Sequence, residues 1–185
     1  MTMKLFPILG LIWFASEVFL TRRSGAGATS KDRGSLRVLW FVEIVSICCG
    51  VIVAYHLPAY GLPARYLFYI LGICVFVFGL ALRLYAILYL GRLFTINVAI
   101  ATDHRLIVSG PYRFVRHPSY SGALMLFFGL ALGIGNWLSL VVIMVPIFVA
   151  FWWRMRIEET ALAGALGEPY RSYMRRTKRL VPMIY

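Results

Sequence analysis

The chain has 185 residues, of which 61% are hydrophobic and only 14% charged. A soluble domain is roughly half apolar and about a quarter charged, so this balance excludes disorder and argues for a polytopic membrane protein. The net charge of +12 comes from 19 Lys+Arg against 7 Asp+Glu, but the cations sit in loops between apolar runs, which argues for cationic cytoplasmic loops and against a nucleic-acid partner.

Five apolar spans are predicted in one membrane domain over residues 1–185. The first, Met3 to Leu20, resembles a signal peptide in length, but Arg22 and Arg23 follow it directly, so a retained span is expected. A polar loop of Gly, Ser, Arg and Lys runs from Thr21 to Ser35. The second span is Leu36 to His56. A Pro/Gly connection then leads to the third, about Tyr66 to Leu90. Cys48, Cys49 and Cys74 lie within apolar runs without metal-ligand spacing and read as small hydrophobes, so no metal is expected.

A long polar connection follows, from Gly91 to His117. Its end, Gly110 to Gly122, reads G-P-Y-R-F-V-R-H-P-S-Y-S-G. Proline fits the first helical turn and not a helix interior, so Pro118 starts the fourth span, which runs to about Ile134. The free N–H groups of that start lie beside Tyr112, Arg116 and His117, a natural place for an anionic group. Gly133-Ile134-Gly135-Asn136 reads as a tight turn, making the fourth span and the fifth, Trp137 to Trp153, a hairpin. The tail beyond Arg154 is amphipathic and basic.

Sixteen of the 19 Lys and Arg fall in the loop after the first span, the connection after the third, and the tail. The positive-inside rule then puts the N-terminus outside and the tail and the Gly110–Gly122 stretch in the cytoplasm. Arg83 and Glu43 each lie seven residues from the cytoplasmic end of their spans, at a depth of about 10 Å. Two readings fit them: a structural ion pair, or a polar cavity in which Arg83 receives a substrate carboxylate. Arg154 and Glu158 are four apart and share a helix face at the interface. They read either as a solvated ion pair or as a site where Glu158 holds an ammonium or ribose hydroxyls and Arg154 a carboxylate.

From about residue 80 onward several motifs occur in order. They are Gly91 and Phe94, His104-Arg105-Leu106-Ile107-Val108, Gly110-x-Tyr112, Arg116-His117-Pro118-Ser119-Tyr120-x-Gly122, Arg154-x-x-x-Glu158-Glu159, and Gly167-x-x-Tyr170-x-x-Tyr173. With an arginine inside the preceding span, this set resembles the isoprenylcysteine carboxyl methyltransferase family and its relatives, the phospholipid N-methyltransferases. The resemblance implies an all-α membrane fold with a C-terminal helical hairpin and a cytoplasmic cofactor pocket. It implies S-adenosylmethionine as cofactor, S-adenosylhomocysteine as product, and a lipophilic or lipidated substrate from the bilayer.

By position it assigns cofactor contacts to Asn97, His104, Arg105, Leu106, Ile107, Tyr112, His117, Pro118, Ser119, Tyr120 and Glu158. Arg83, Arg154 and Glu159 fall to the reaction itself. His117 has a second reading, as the cap of the fourth span. No G-x-G-x-x-G occurs, so a Rossmann cofactor site is not expected. The most favoured acceptor is the carboxylate of a prenylcysteine-like molecule, with a phospholipid amine as the alternative. The competing classes are a sterol-reductase-like NADPH enzyme, which shares an R-H-P-x-Y-x-G, and a non-catalytic membrane scaffold.

Overall fold

The computed structural model describes residues 5–23, 34–91, 94 and 106–182. Among them the regular structure is helical: α1 Leu5–Arg23, α2 Gly34–His56, α3 Arg65–Leu90, α4 Pro118–Ile134, α5 Trp137–Leu166 and α6 Glu168–Arg176. Short 3-10 turns occupy Pro58–Tyr60 and Gly110–Arg113. α2, α3 and α5 are each long and apolar enough to cross a bilayer, and α1 and α4 carry shorter apolar stretches. Large apolar side chains such as Leu11, Phe41, Ile44, Phe78 and Val145 lie exposed on the outside of the bundle. Only hydrocarbon makes such a surface favourable, and the molecule is an integral membrane protein.

The expected helix starts hold. Pro118 opens α4, where its missing N–H costs nothing. Gly135 ends α4 in the left-handed conformation at φ 74°, and Asn136 caps α5 by accepting the Ser139 N–H at 3.0 Å. The fifth helix is longer than its predicted span. α5 continues past Trp153 to Leu166, so Arg154, Glu158 and Glu159 stand on the same rigid rod as the apolar segment.

Packing departs from the simple hairpin. The main partner of α4 is α3, and that of α5 is α2. Glycines cause the first pairing. A Cβ on Gly79 would fall 2.6 Å from the Gly122 carbonyl oxygen and the Leu126 nitrogen. One on Gly129 would fall 2.5 Å from the Phe76 nitrogen. The two helices thus run backbone to backbone, the approach that small residues permit where no water drives helices together. Around this seam Phe76, Leu126, Phe127, Ile143, Ile147 and Phe151 form the core. α2 and α5 are joined by Ser139 Oγ donating to the Gly50 carbonyl at 2.7 Å.

The seam makes a clear expectation for stability. Gly79→Val should lower the thermal unfolding midpoint in detergent, because overpacking costs about 1–3 kcal/mol and the clash is with backbone. Gly164 has nothing within 4 Å of its Cβ position. Gly164→Ala should therefore leave the midpoint unchanged or raise it. Equal midpoints for Gly79→Val and the parent chain would contradict the seam.

Candidate active site

The R-H-P stretch is held in place by the tail. Arg116 N–H donates to the Lys178 carbonyl at 2.8 Å and His117 N–H to the Arg179 carbonyl at 3.0 Å. Ser121 Oγ donates to the Leu180 carbonyl at 2.6 Å. Just before it, Tyr112 is buried between two elements. Its hydroxyl donates to the Ala86 carbonyl of α3 at 3.2 Å, and its own carbonyl accepts from Tyr173 Oη of α6 at 2.5 Å. Burial pushes the Tyr173 hydroxyl up to about 12 and raises Tyr112 as well. Both therefore remain neutral donors at physiological pH.

Glu159 is the electrostatic centre of this end. Its Oε1 accepts from Arg116 Nε at 2.8 Å and lies 3.3 Å from His117 Nε2. Its Oε2 accepts from Arg179 Nη2 at 2.7 Å. Arg116 Nη1 also donates to the carbonyls of Met174 and Thr177, which the end of α6 leaves open. One carboxylate thus ties α5, the R-H-P stretch and the tail together. His117 precedes α4, but its side chain makes no cap bond. His117 is the N-cap residue of α4, its carbonyl accepting the Tyr120 and Ser121 N–H groups at 3.0 Å, so it stands where the capping reading put it. The imidazole itself turns to Glu159, a buried carboxylate being a stronger partner than a backbone N–H.

Tyr120 forms a second cluster beside the first. The His117 and Tyr120 rings are stacked with centroids 5.3 Å apart. Tyr120 Oη donates to Glu158 Oε2 at 2.8 Å and accepts from Arg154 Nε at 3.0 Å. Arg154 Nη1 donates in turn to Ser35 Oγ of α2 at 2.9 Å. Arg154 is 4% exposed, whereas the Glu158 side chain is 30% exposed. A solvated surface pair does not describe this geometry. Both side chains converge on one phenolic oxygen, with the arginine inside the bundle and the carboxylate toward its surface.

Arg83 is placed differently from expectation. Its Nε donates to Glu17 Oε1 of α1 at 2.6 Å, and Nη1 reaches the Ser119 carbonyl at 3.3 Å. The expected ion pair with Glu43 is corrected to one with Glu17, while Glu43 is buried in α2. At Gly122, four residues into α4, the α3 backbone lies so close that a Cβ would fall 2.6 Å from the Arg83 nitrogen, and the long side chain spans the remaining distance back to the first turn of α4.

Of the residues assigned from the sequence, Tyr112, His117, Pro118, Ser119, Tyr120, Arg154, Glu158 and Glu159 come together at one end of the bundle, with Arg83 reaching them. Leu106 and Ile107 are half-buried in the segment leading to Tyr112. Asn97, His104 and Arg105 lie outside the described residues. Sequence reasoning missed Glu17, Ser35 and Arg179 as partners. None stands in a motif, and only the packing of α1, α2 and the tail brings them here.

The donor set suits a zwitterionic ligand with hydroxyls: the half-exposed Glu158 carboxylate for a cation, the stacked rings of His117 and Tyr120, and a buried guanidinium behind them. Comparison with known proteins agrees with the helical membrane fold described above. The family described as phospholipid methyltransferase matches residues 67–168, more than half of the chain, and the chain belongs to it. It is 33% identical over 115 residues to protein-S-isoprenylcysteine O-methyltransferase B of Arabidopsis thaliana, covering 61% of this chain and 58% of that protein. It is 32% identical over 108 residues to the corresponding Schizosaccharomyces pombe enzyme, covering 57% of this chain and 46% of that one.

The fold is similar to the solved structure of the eukaryotic intramembrane Ras methyltransferase ICMT (isoprenylcysteine carboxyl methyltransferase), with a TM-score of 0.67 and 30% identity over 78% of this chain and 52% of that one. The resemblance carried by the motifs is thus borne out. The chain spans about half the length of the relatives it matches.

The Glu159 cluster yields a stability test. Removing one partner of a buried ion network costs about 3–5 kcal/mol, so Glu159→Ala should lower the unfolding midpoint strongly by leaving Arg116 and Arg179 facing each other. Glu168→Ala should barely change it, because Glu168 and its partner Arg175 are both exposed. Equal midpoints for the two variants would refute the central role of Glu159.

Proposed function

We propose that this chain transfers the methyl group of S-adenosylmethionine to the carboxylate of a prenylcysteine-like molecule. The observation that carries the proposal is the Ser35–Arg154–Tyr120–Glu158 chain of hydrogen bonds, which sets a buried cation for an acceptor carboxylate directly behind an acidic group suited to the cofactor's ammonium. The names of the relatives support the same acceptor. The family's own description favours a second reading, a phospholipid amine acceptor. The buried Arg154 and the half-buried Arg83 beside the site offer cations to an anionic acceptor, for which a neutral nucleophilic amine has no use.

In this reading Glu158, Tyr120, His117, Ser119 and Tyr112 hold the cofactor, together with the segment His104 to Ile107 and Asn97. Bound there, S-adenosylmethionine supplies an electrophilic methyl group. The protein's part is positioning. Arg154 orients the acceptor carboxylate through a planar fork, and a carboxylate is nucleophilic without a general base. The apolar bundle excludes water, which strengthens the guanidinium–carboxylate contact. Arg83 adds positive potential from beneath α4. The oxygens of Glu159 are taken up by Arg116, His117 and Arg179, so its role is to hold the R-H-P stretch. The lipophilic tail enters between helices from the bilayer and the cofactor from the cytoplasm.

The direct test uses the purified protein in vesicles with methyl-labelled S-adenosylmethionine, offered a prenylcysteine or phosphatidylethanolamine. We expect label in the prenylcysteine, released as methanol by mild base as an ester requires. Label in the phospholipid alone would decide for the amine. A thermal shift with NADPH and none with S-adenosylhomocysteine would overturn methyl transfer altogether. Tyr120→Phe should lower kcat/KM roughly ten- to a hundredfold, the worth of about 1.5–3 kcal/mol for a hydrogen bond to a charged group.

Orientation has its own test. With five spans, the loop at Lys31 and the C-terminus face the cytoplasm by the positive-inside bias. A cysteine placed at Lys31 should be labelled from the cytoplasmic side, and labelling from the opposite side would reverse the topology.

A further inference from the structure

The family match begins at residue 67, so α1 and α2 lie before it. Yet both helices reach into the site. Glu17 of α1 holds Arg83, and Ser35 of α2 holds Arg154 across 119 positions of sequence. Ser35 is the second residue of α2. Its hydroxyl oxygen accepts from Arg154 Nη1, and the residue is 1% exposed.

We infer that Ser35 is a positioning residue for methyl transfer, fixing the plane of the Arg154 guanidinium that meets the acceptor. The inference rests on the acceptor-binding role of Arg154 proposed above. A guanidinium is a rigid planar fork, so its direction is set once two different nitrogens are held. Tyr120 Oη holds Nε and Ser35 Oγ holds Nη1, from two different helices. The Ser35 contact at Nη1 opposes the rotation of the fork that the Tyr120 contact at Nε by itself permits. Nor is Ser35 needed to keep α2 in place. The far end of α2 is tied to α5 by the Ser139–Gly50 hydrogen bond and by Gly50, whose Cβ position falls 2.4 Å from Ile143 Cγ1. The register of the two helices is therefore set independently of the Ser35 hydroxyl. Loss of that hydroxyl should disturb the aim of Arg154 and leave the fold and the cofactor contacts intact.

The experiment compares Ser35→Ala, Ser35→Cys and Ser35→Thr with the parent chain in vesicles. It measures kcat and KM for the prenylcysteine, S-adenosylhomocysteine affinity by calorimetry, and the unfolding midpoint. Cysteine fills the serine volume but accepts hydrogen bonds weakly, so it separates packing from bonding. Ser35→Ala and Ser35→Cys should lower kcat about tenfold while cofactor affinity stays within about twofold, and Ser35→Thr, which keeps the hydroxyl, should restore turnover. Unchanged kcat in both Ala and Cys variants would overturn the inference. So would a loss of turnover that follows a lowered midpoint or weakened cofactor binding and is not restored by threonine. If the parent chain methylates phosphatidylethanolamine and not the prenylcysteine, the acceptor reading fails, and the same comparison of variants on that amine then decides for or against Ser35. A parent chain that methylates neither overturns both readings.

Discussion

The backbone contact between α3 and α4 is the constraint from which the site follows. Glycines at 72 and 79 on one helix meet glycines at 122, 129 and 133 on the other, so the two axes come together with almost no side chain between them. Nothing in hydrocarbon pushes helices together as water does, and close van der Waals approach takes over that role. The consequence at the motif-bearing end of the bundle is chemical. The first turn of α4, carrying Ser119 and Tyr120, is pressed against the turn of α3 that carries Arg83. Arg83 then bonds to the Ser119 carbonyl on one side and to Glu17 on the other.

Charge does the rest of the assembly. Taking an isolated charge into a bilayer or a bundle interior is expensive, so each buried ion must find partners, and its partners come from other elements. Glu17 with Arg83 joins α1 to α3. Arg154 with Ser35 and Tyr120 joins α5 to α2 and α4. Glu159 with Arg116, His117 and Arg179 joins α5 to the R-H-P stretch and the tail. These contacts are directional, unlike the apolar core, and they orient the polar side chains at the end of the bundle. The same ions that align the helices also present a cation and a carboxylate on either side of the Tyr120 hydroxyl. Structure and proposed chemistry share one set of residues, which is economical in a chain with few charges.

Much of this was legible before any coordinates. Apolar runs of bilayer length, proline at the start of α4 and the Gly135-Asn136 turn located the starts of the five apolar helices to within a few residues, because these signals act locally through backbone geometry. The spacing of Arg154 and Glu158 placed them on one face, since the helical repeat alone dictates it. The motif residues Tyr112, His117, Tyr120 and Glu159 were named for the same end of the molecule. The glycine seam was also present as a seven-residue spacing in two separate helices, although pairing them requires knowing which helices touch.

What only the tertiary structure decided is who partners whom. Depth counting along each helix put Arg83 opposite Glu43, but it carries no information about rotation around the axis or about which helices are neighbours. The fold pairs Arg83 with Glu17 instead. Helix α5 was cut short at Trp153 because hydropathy ends there, although the backbone hydrogen bonds do not. His117 stands at the N-cap of α4, but only the packing of α5 against it turns its ring to Glu159. Ser35 and Arg179 had no signal at all, since a lone serine and one arginine among many say nothing about a contact more than a hundred residues away or across a tail. Sequence by itself determined the membrane class, the helices and the motif end of the bundle, because each depends on short-range periodicity and composition. The three-dimensional arrangement determined the ion pairs and the aim of Arg154, because a long, flexible charged side chain takes its direction from whatever neighbour the packing supplies.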